Sequence, residues 1–164
     1  MQVHQESLPD VVRYLENNKH ETLESKQPAY DQYLRLIRRF QPGFGPQSRI
    51  LEIGTGTGWF PLLCAKNGLQ CKGLDISPQL VQHANELGEK LGLKPDIEVG
   101  NLEDTDIGEN AWDVVVVMSV FEHIELWEKG LERIYRSLKP GGILLFESSN
   151  KFSLKAVEYD FPLY

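Results

Sequence analysis

The stretch Ile50–Phe60, ILEIGTGTGWF, restricts the fold of this chain more than any other. Ile50, Leu51 and Ile53 make a short apolar run that reads as a strand. Glycines follow at 54, 56 and 58, and an apolar helical segment then runs from Trp59 to Lys66. A strand, a glycine-rich turn and a helix form a crevice able to hold a nucleotide-like ligand. Glycine lets the backbone come close to a ligand and adopt positive φ. The alternative is a purely structural glycine turn.

The spacing narrows the ligand. A dinucleotide turn is G-x-G-x-x-G, with a pyrophosphate on the following helix N-terminus. Here the third position of that pattern is Trp59, too bulky for close helix–strand packing. Glu52, the acid that interrupts the strand, repels a pyrophosphate. It is either a satisfied core acid or a receptor for a positive ligand group. The turn therefore suits a ligand with a nucleoside and a cationic end, and disfavours an NAD-type oxidoreductase.

The rest of the chain repeats the strand–helix alternation. Gln70–Ile76 is a second strand carrying Asp75 near its end, about twenty residues beyond the glycine turn, where a carboxylate meets ribose hydroxyls. The alternative for Asp75 is a solvated turn acid. Ser77 as N-cap and Pro78 at the first helical position open a helix with Leu80, Val81, Ala84, Leu87 and Leu91 on its apolar face. Asp96–Gly100 is a short third strand, and Asn101 and Leu102 after it are placed to meet an adenine edge unless they form only a polar loop. Trp112–Met118 is unbroken and apolar, as a central parallel strand buried on both faces should be. Ser119-Val120-Phe121-Glu122-His123 follows, then a helix over Glu125–Leu138 stopped by Lys139-Pro140-Gly141-Gly142, then a fifth strand, Ile143–Glu147. This predicts a parallel, doubly wound α/β sheet with right-handed crossovers. Four candidate site elements, Glu52–Gly58, Asp75, Asn101-Leu102 and Ser119–His123, all fall at strand carboxyl ends, where such sheets bind ligands.

Before the first strand, two amphipathic helices are expected, one with Leu8, Val11, Val12 and Leu15, the other over Ala29–Phe40. The polar stretch Asn17–Gln27 between them is a loop or a weakly buried helix. This division gives residues 1–46 as a helical lid over the ligand end, or merely a cover for the sheet, and 47–164 as the core. Tyr14, Tyr30 and Tyr33 either line an acceptor pocket or pack in the core.

The net charge of −7 argues against a nucleic-acid surface. Cys64 and Cys71 lack metal-ligand spacing and read as free buried thiols, so no metal is expected. With no signal peptide or bilayer-length apolar run, the expected location is the cytoplasm.

Glu52-Ile53-Gly54-Thr55-Gly56-Thr57-Gly58, Gly73-Leu74-Asp75-Ile76-Ser77, Gly100-Asn101-Leu102-Glu103, Phe121-Glu122-His123 and Leu138-Lys139-Pro140-Gly141-Gly142 occur in that order. Together they resemble the class I S-adenosylmethionine-dependent methyltransferases, within the small-molecule group that includes ubiquinone-biosynthesis O-methyltransferases. The resemblance covers roughly Ile50 to Glu147. It implies a Rossmann-like sheet of strand order 3-2-1-4-5, S-adenosyl-L-methionine as cofactor with S-adenosyl-L-homocysteine as product, and a small-molecule methyl acceptor. It also implies roles. Gly54, Thr55, Gly56 and Gly58 carry the methionine part, and Glu52 meets its ammonium. Asp75 holds the ribose hydroxyls, Ile76 packs on adenine, and Asn101 and Leu102 meet the adenine edge. Asn101 stands where the family often has an aspartate. Ser119 offers its backbone carbonyl beside the methionine end. His123 is the candidate base for a hydroxyl acceptor, unless Glu122-His123 only orients the loop.

The family's sheet has seven strands, ending in an antiparallel hairpin, and only five are legible here. The chain is therefore read as apparently truncated after its fifth strand. An exposed fifth-strand edge could instead pair in a dimer, or lie under the aromatic tail Phe152, Tyr159, Phe161 and Tyr164. A non-catalytic module that kept the fold for partner binding or regulation is the competing functional class.

Overall fold

The computed structural model describes residues 8–148 except 125. The expectations for Glu125 and for the aromatic tail (Phe152, Tyr159, Phe161, Tyr164) lie outside the described residues.

Five strands form one sheet of order 3-2-1-4-5. They are β1 (Arg49–Ile53), β2 (Gln70–Asp75), β3 (Asp96–Val99), β4 (Trp112–Met118) and β5 (Leu138–Glu147). Every neighbouring pair is parallel, with Glu52 opposite Gly73 on β2 and Val116 on β4. The helices α1 (Leu8–Asn18), α2 (Leu23–Phe40), α3 (Trp59–Lys66), α4 (Pro78–Lys90) and α5 (Trp127–Ser137) complete the fold. Two apolar layers enclose the sheet. One joins Tyr30, Leu34 and Ile37 of α2 to Phe60, Leu63 and Cys64 of α3 and to Ile50, Val114 and Val116. The other joins Leu51, Ile53, Val115 and Val117 to Leu102, Ile107, Trp112 and Ile134. Val114–Val117 have no exposed surface because alternate side chains enter opposite layers.

Three local details differ from the sequence reading. The helix expected to begin at Ala29 begins at Leu23, six residues earlier. Thr22 caps it in a reciprocal pair with Ser25, and Pro28 lies inside the helix. The polar stretch Asn17–Gln27 is thus the end of α1, a turn and the start of α2. The helix expected to start at Glu125 and reach Leu138 spans Trp127–Ser137. Lys139–Gly142 ends that helix but lies within β5, whose register jumps from Trp112↔Leu138 to Val114↔Ile143. Lys139-Pro140-Gly141-Gly142 is the excursion, and Gly141 takes a positive φ of 78°.

Among the described residues, β5 pairs only with β4, and Phe146 is 57% exposed beside that open edge. No helix among the described residues is long and apolar enough to cross a membrane, and none of their acidic, histidine or cysteine side chains group as metal ligands.

Candidate ligand site

The glycine turn is held by β2. The amides of Gly54 and Thr55 both donate to the Leu74 carbonyl, at 2.8 and 3.0 Å. The Gly56 amide donates to Asp75 Oδ2 at 2.7 Å, and the Gly58 amide to the Thr55 carbonyl at 2.9 Å. Gly54, Gly56 and Gly58 have φ values of 74°, 54° and 78°, the left-handed region in which a side chain is strained. Each glycine also sits under a neighbour. A Cβ at Gly54 would lie 2.2 Å from Val120 Cγ2, one at Gly56 2.6 Å from the Tyr14 hydroxyl, and one at Gly58 2.5 Å from the Ala84 methyl. Gly58 thus lets the start of α3 lie close against Ala84 of α4 and Ile97 of β3. Trp59 turns away, against Tyr33, Phe60 and the Lys26 ammonium.

Two carboxyls flank the turn. Glu52 is 4% exposed and accepts a hydrogen bond from the Thr55 hydroxyl. Burial pushes its carboxyl up to about 8, helped by the charge of Asp75 and opposed by the Thr55 bond. Asp75 is also buried, with Oδ1 accepting from the Ser77 amide at 2.9 Å and Oδ2 from Gly56. Burial raises its carboxyl and the two backbone bonds hold it back down. Each Asp75 oxygen accepts one N–H and retains a second lone pair for a ligand hydroxyl.

The other predicted residues gather at the same ends of the strands. Ile76 is half-buried directly after Asp75. Asn101 Oδ1 accepts from the Glu103 amide at 2.9 Å, so its side chain already shapes its own turn, and Leu102 is buried below it. Ser119, exposed, adopts φ 54°, and its amide donates to the Glu147 carbonyl at 2.9 Å. That left-handed residue lets Val120 fold back onto Gly54. His123 closes the short 3-10 turn Phe121–His123 and is exposed to solvent.

Of the three tyrosines, Tyr30 is fully buried in the α2–α3 core and Tyr33 packs on Trp59 and Phe60. Tyr14 alone stands at the turn, 40% exposed. Its seat over Gly56 and that of Val120 over Gly54 escaped the sequence reading. Neither leaves a local signal, because both are contacts across the fold.

The site so assembled presents two buried carboxyls, hydroxyls and a close-approach backbone. These groups suit a ligand carrying an ammonium and a vicinal diol, and they repel phosphates.

A family model described as a methyltransferase domain matches residues 51–146. Phosphoethanolamine N-methyltransferase 2 of Caenorhabditis elegans is 32% identical over 134 residues, 76% of this chain and 30% of that protein. A ubiquinone biosynthesis O-methyltransferase of Nitrobacter winogradskyi is 33% identical over 122 residues, 70% of this chain and 45% of that protein. The chain thus spans less than half the length of these relatives. The structure of Haemonchus contortus phosphoethanolamine N-methyltransferase 2 with S-adenosyl-L-methionine superposes with a TM-score of 0.64 at 30% identity, covering 79% of this chain and 31% of that one. An S-adenosylmethionine-dependent methyltransferase from Aquifex aeolicus shares the fold with a TM-score of 0.68 at 21% identity, covering 88% of this chain and 75% of that one. With its 3-2-1-4-5 parallel sheet and glycine turn, this chain belongs to the methyltransferase domain family, in the class I Rossmann-like fold.

Proposed function

We propose that this chain is the cofactor-binding core of an S-adenosylmethionine-dependent methyltransferase acting on a small-molecule acceptor. The observation that carries the reading is the pair of buried carboxyls, Glu52 and Asp75, on either side of a glycine turn at the strand ends. In this reading Glu52 receives the ammonium of the methionine end, and Gly54, Thr55, Gly56 and Gly58 carry that end. Asp75 accepts from the ribose hydroxyls, Ile76 packs on adenine, and Asn101 with the Leu102 amide meets the adenine edge. Ser119 contributes its carbonyl. The acceptor class draws support from relatives named for N-methylation of phosphoethanolamine and for O-methylation in ubiquinone biosynthesis.

Bound there, the cofactor supplies a methyl group already activated by its positive sulfur. The chain's own task is to hold the acceptor in line and exclude water, and such orientation is worth on the order of 7–11 kcal/mol. His123, exposed on the turn after β4, is the group proposed to take the proton of a hydroxyl acceptor. The helical segment 1–46 is proposed as a lid and 47–164 as the core, in a cytoplasmic protein that does not bind nucleic acid. The open β5 edge is a proposed pairing surface for a second copy.

Calorimetric titration with S-adenosylhomocysteine tests the reading. Micromolar binding by the folded chain is expected. A folded chain that does not bind it would overturn the assignment.

A further inference from the structure

The turn after β3 spends almost all of its backbone donors on itself. The Gly100 amide donates to the Asp75 carbonyl at 2.9 Å and anchors the start of the turn on β2. The Asn101 amide donates to Thr105 Oγ1 at 2.8 Å, and the Glu103 amide to Asn101 Oδ1 at 2.9 Å. The amides of Asp104 and Thr105 both donate to the Asn101 carbonyl, at 3.2 and 2.9 Å. From Asn101 to Thr105, only the Leu102 amide has no acceptor among the described residues. It is the backbone donor that this turn can offer a ligand.

Helix α5 holds that donor from behind. Leu102 is buried against Gly130, where a Cβ would lie 3.0 Å from Leu102 Cδ2. Arg133, one turn further along the same side of the helix, donates from Nη2 to the Thr105 carbonyl. Its Nε is buried with no partner among the described residues, so the guanidinium is kept there at a cost in stability. We propose that Arg133 is a positioning residue for base recognition. By holding the Thr105 carbonyl it fixes the Asn101–Thr105 turn, and with it the direction of the Leu102 amide. That amide then selects a base with an acceptor nitrogen on the facing edge. Adenine presents N1 as an acceptor, whereas hypoxanthine carries a hydrogen there and sets donor against donor. The inference rests on the methyltransferase reading above.

The test is the ratio of affinities for S-adenosylhomocysteine and S-inosylhomocysteine, measured by calorimetry on wild type, Arg133→Met and Arg133→Gln. The two ligands differ only at the base. Wild type should favour the adenosyl ligand by about tenfold or more, because the inosyl base leaves a buried donor unpaired. Arg133→Met keeps an apolar stem but no donor, and the ratio should fall by about threefold or more, through weaker binding of the adenosyl ligand. Arg133→Gln, polar but too short to reach the same carbonyl, should lower it likewise. A merely structural role would weaken both ligands alike and leave the ratio where it was. An unchanged ratio in both variants, or a wild type that binds the two ligands equally, would overturn the role of Arg133 while leaving the methyltransferase reading standing. A folded wild-type chain that binds neither ligand would overturn both.

Discussion

In the proposed role of Glu52, cofactor binding is a proton-linked event. Its carboxyl is 4% exposed and raised to about 8, so at pH 7 roughly nine in ten free molecules carry it protonated. A ligand ammonium pairs with the carboxylate form, so binding should expel close to one proton at that pH. Apparent affinity for S-adenosylhomocysteine should then fall by about tenfold for each pH unit below 8, reaching roughly 100-fold at pH 6, or nearly 3 kcal/mol. Above pH 8 the curve should flatten and then decline as the ligand's own amine loses its charge. The assay is titration calorimetry from pH 6 to 9 in phosphate and in Tris. The two buffers differ in ionisation enthalpy and so count the proton. Glu52→Gln keeps an acceptor for the Thr55 hydroxyl but cannot ionise, and should flatten the profile at the weak, low-pH level. A wild-type affinity that is level between pH 6 and 8, with the same heat in both buffers, would refute this account of Glu52.

The same carboxyl acts on stability. Its folded value of about 8 lies above the ordinary 4.5, so its contribution is fully present below 4.5 and is lost as pH rises towards 8, by on the order of 5 kcal/mol. Melting curves of Glu52→Gln should lack this decline, and the variant should be the more stable protein above pH 8. Asp75→Ala removes acceptors from the Gly56 and Ser77 amides and, in the proposed role, from the cofactor ribose. It should weaken S-adenosylhomocysteine binding by roughly 100-fold and lower the melting temperature. Gly54→Ala meets Val120 Cγ2 at 2.2 Å and a positive φ of 74°. It should destabilise by more than the roughly 1–2 kcal/mol of the backbone term, and adding Val120→Ala should recover only the steric part in denaturant titrations. His123→Gln should lower kcat with a hydroxyl acceptor by about 100-fold or more while leaving cofactor affinity unchanged, since His123 is exposed on a turn of its own.

The parts of this fold that a sequence exposes are those with a short-range cause. Val114–Val117 can be nothing but a doubly covered strand, and Ser77-Pro78 is a cap wherever it occurs before an apolar period. The position of Asp75 follows from the length of one strand–helix–strand unit. So the ends of β1, β2 and β4, and the carboxyls on them, were legible. The roof of the site was not. Tyr14 reaches Gly56 across 42 residues and Val120 reaches Gly54 across 66, and neither pairing leaves a periodic trace. Lys139–Gly142 misled for a different reason. Proline and glycine mark a break in hydrogen bonding, and a helix stop and a strand excursion both provide one. The early start of α2 was hidden because its first turn is polar and Pro28 lies inside it, while the start itself is marked only by the Thr22–Ser25 capping pair.

Asp113 draws the opposite end of the sheet together. Its carboxylate accepts from the Arg49 amide at 2.8 Å and the Lys139 ammonium at 2.7 Å, while Gln41 Nε2 reaches the carbonyls of Asp113 and Gly141. Burial alone would raise the Asp113 carboxyl, but these donors hold it below the usual range. The exit of α2, the entries of β1 and β4 and the excursion in β5 are thereby bolted to one baseplate. Mechanically this is a clamp at the root of the strands that resists shear of β1 and β5 against β4. Amide exchange at Arg49 should quicken in Asp113→Ala, while that at Gly56, bonded to buried Asp75 at the far end, should not.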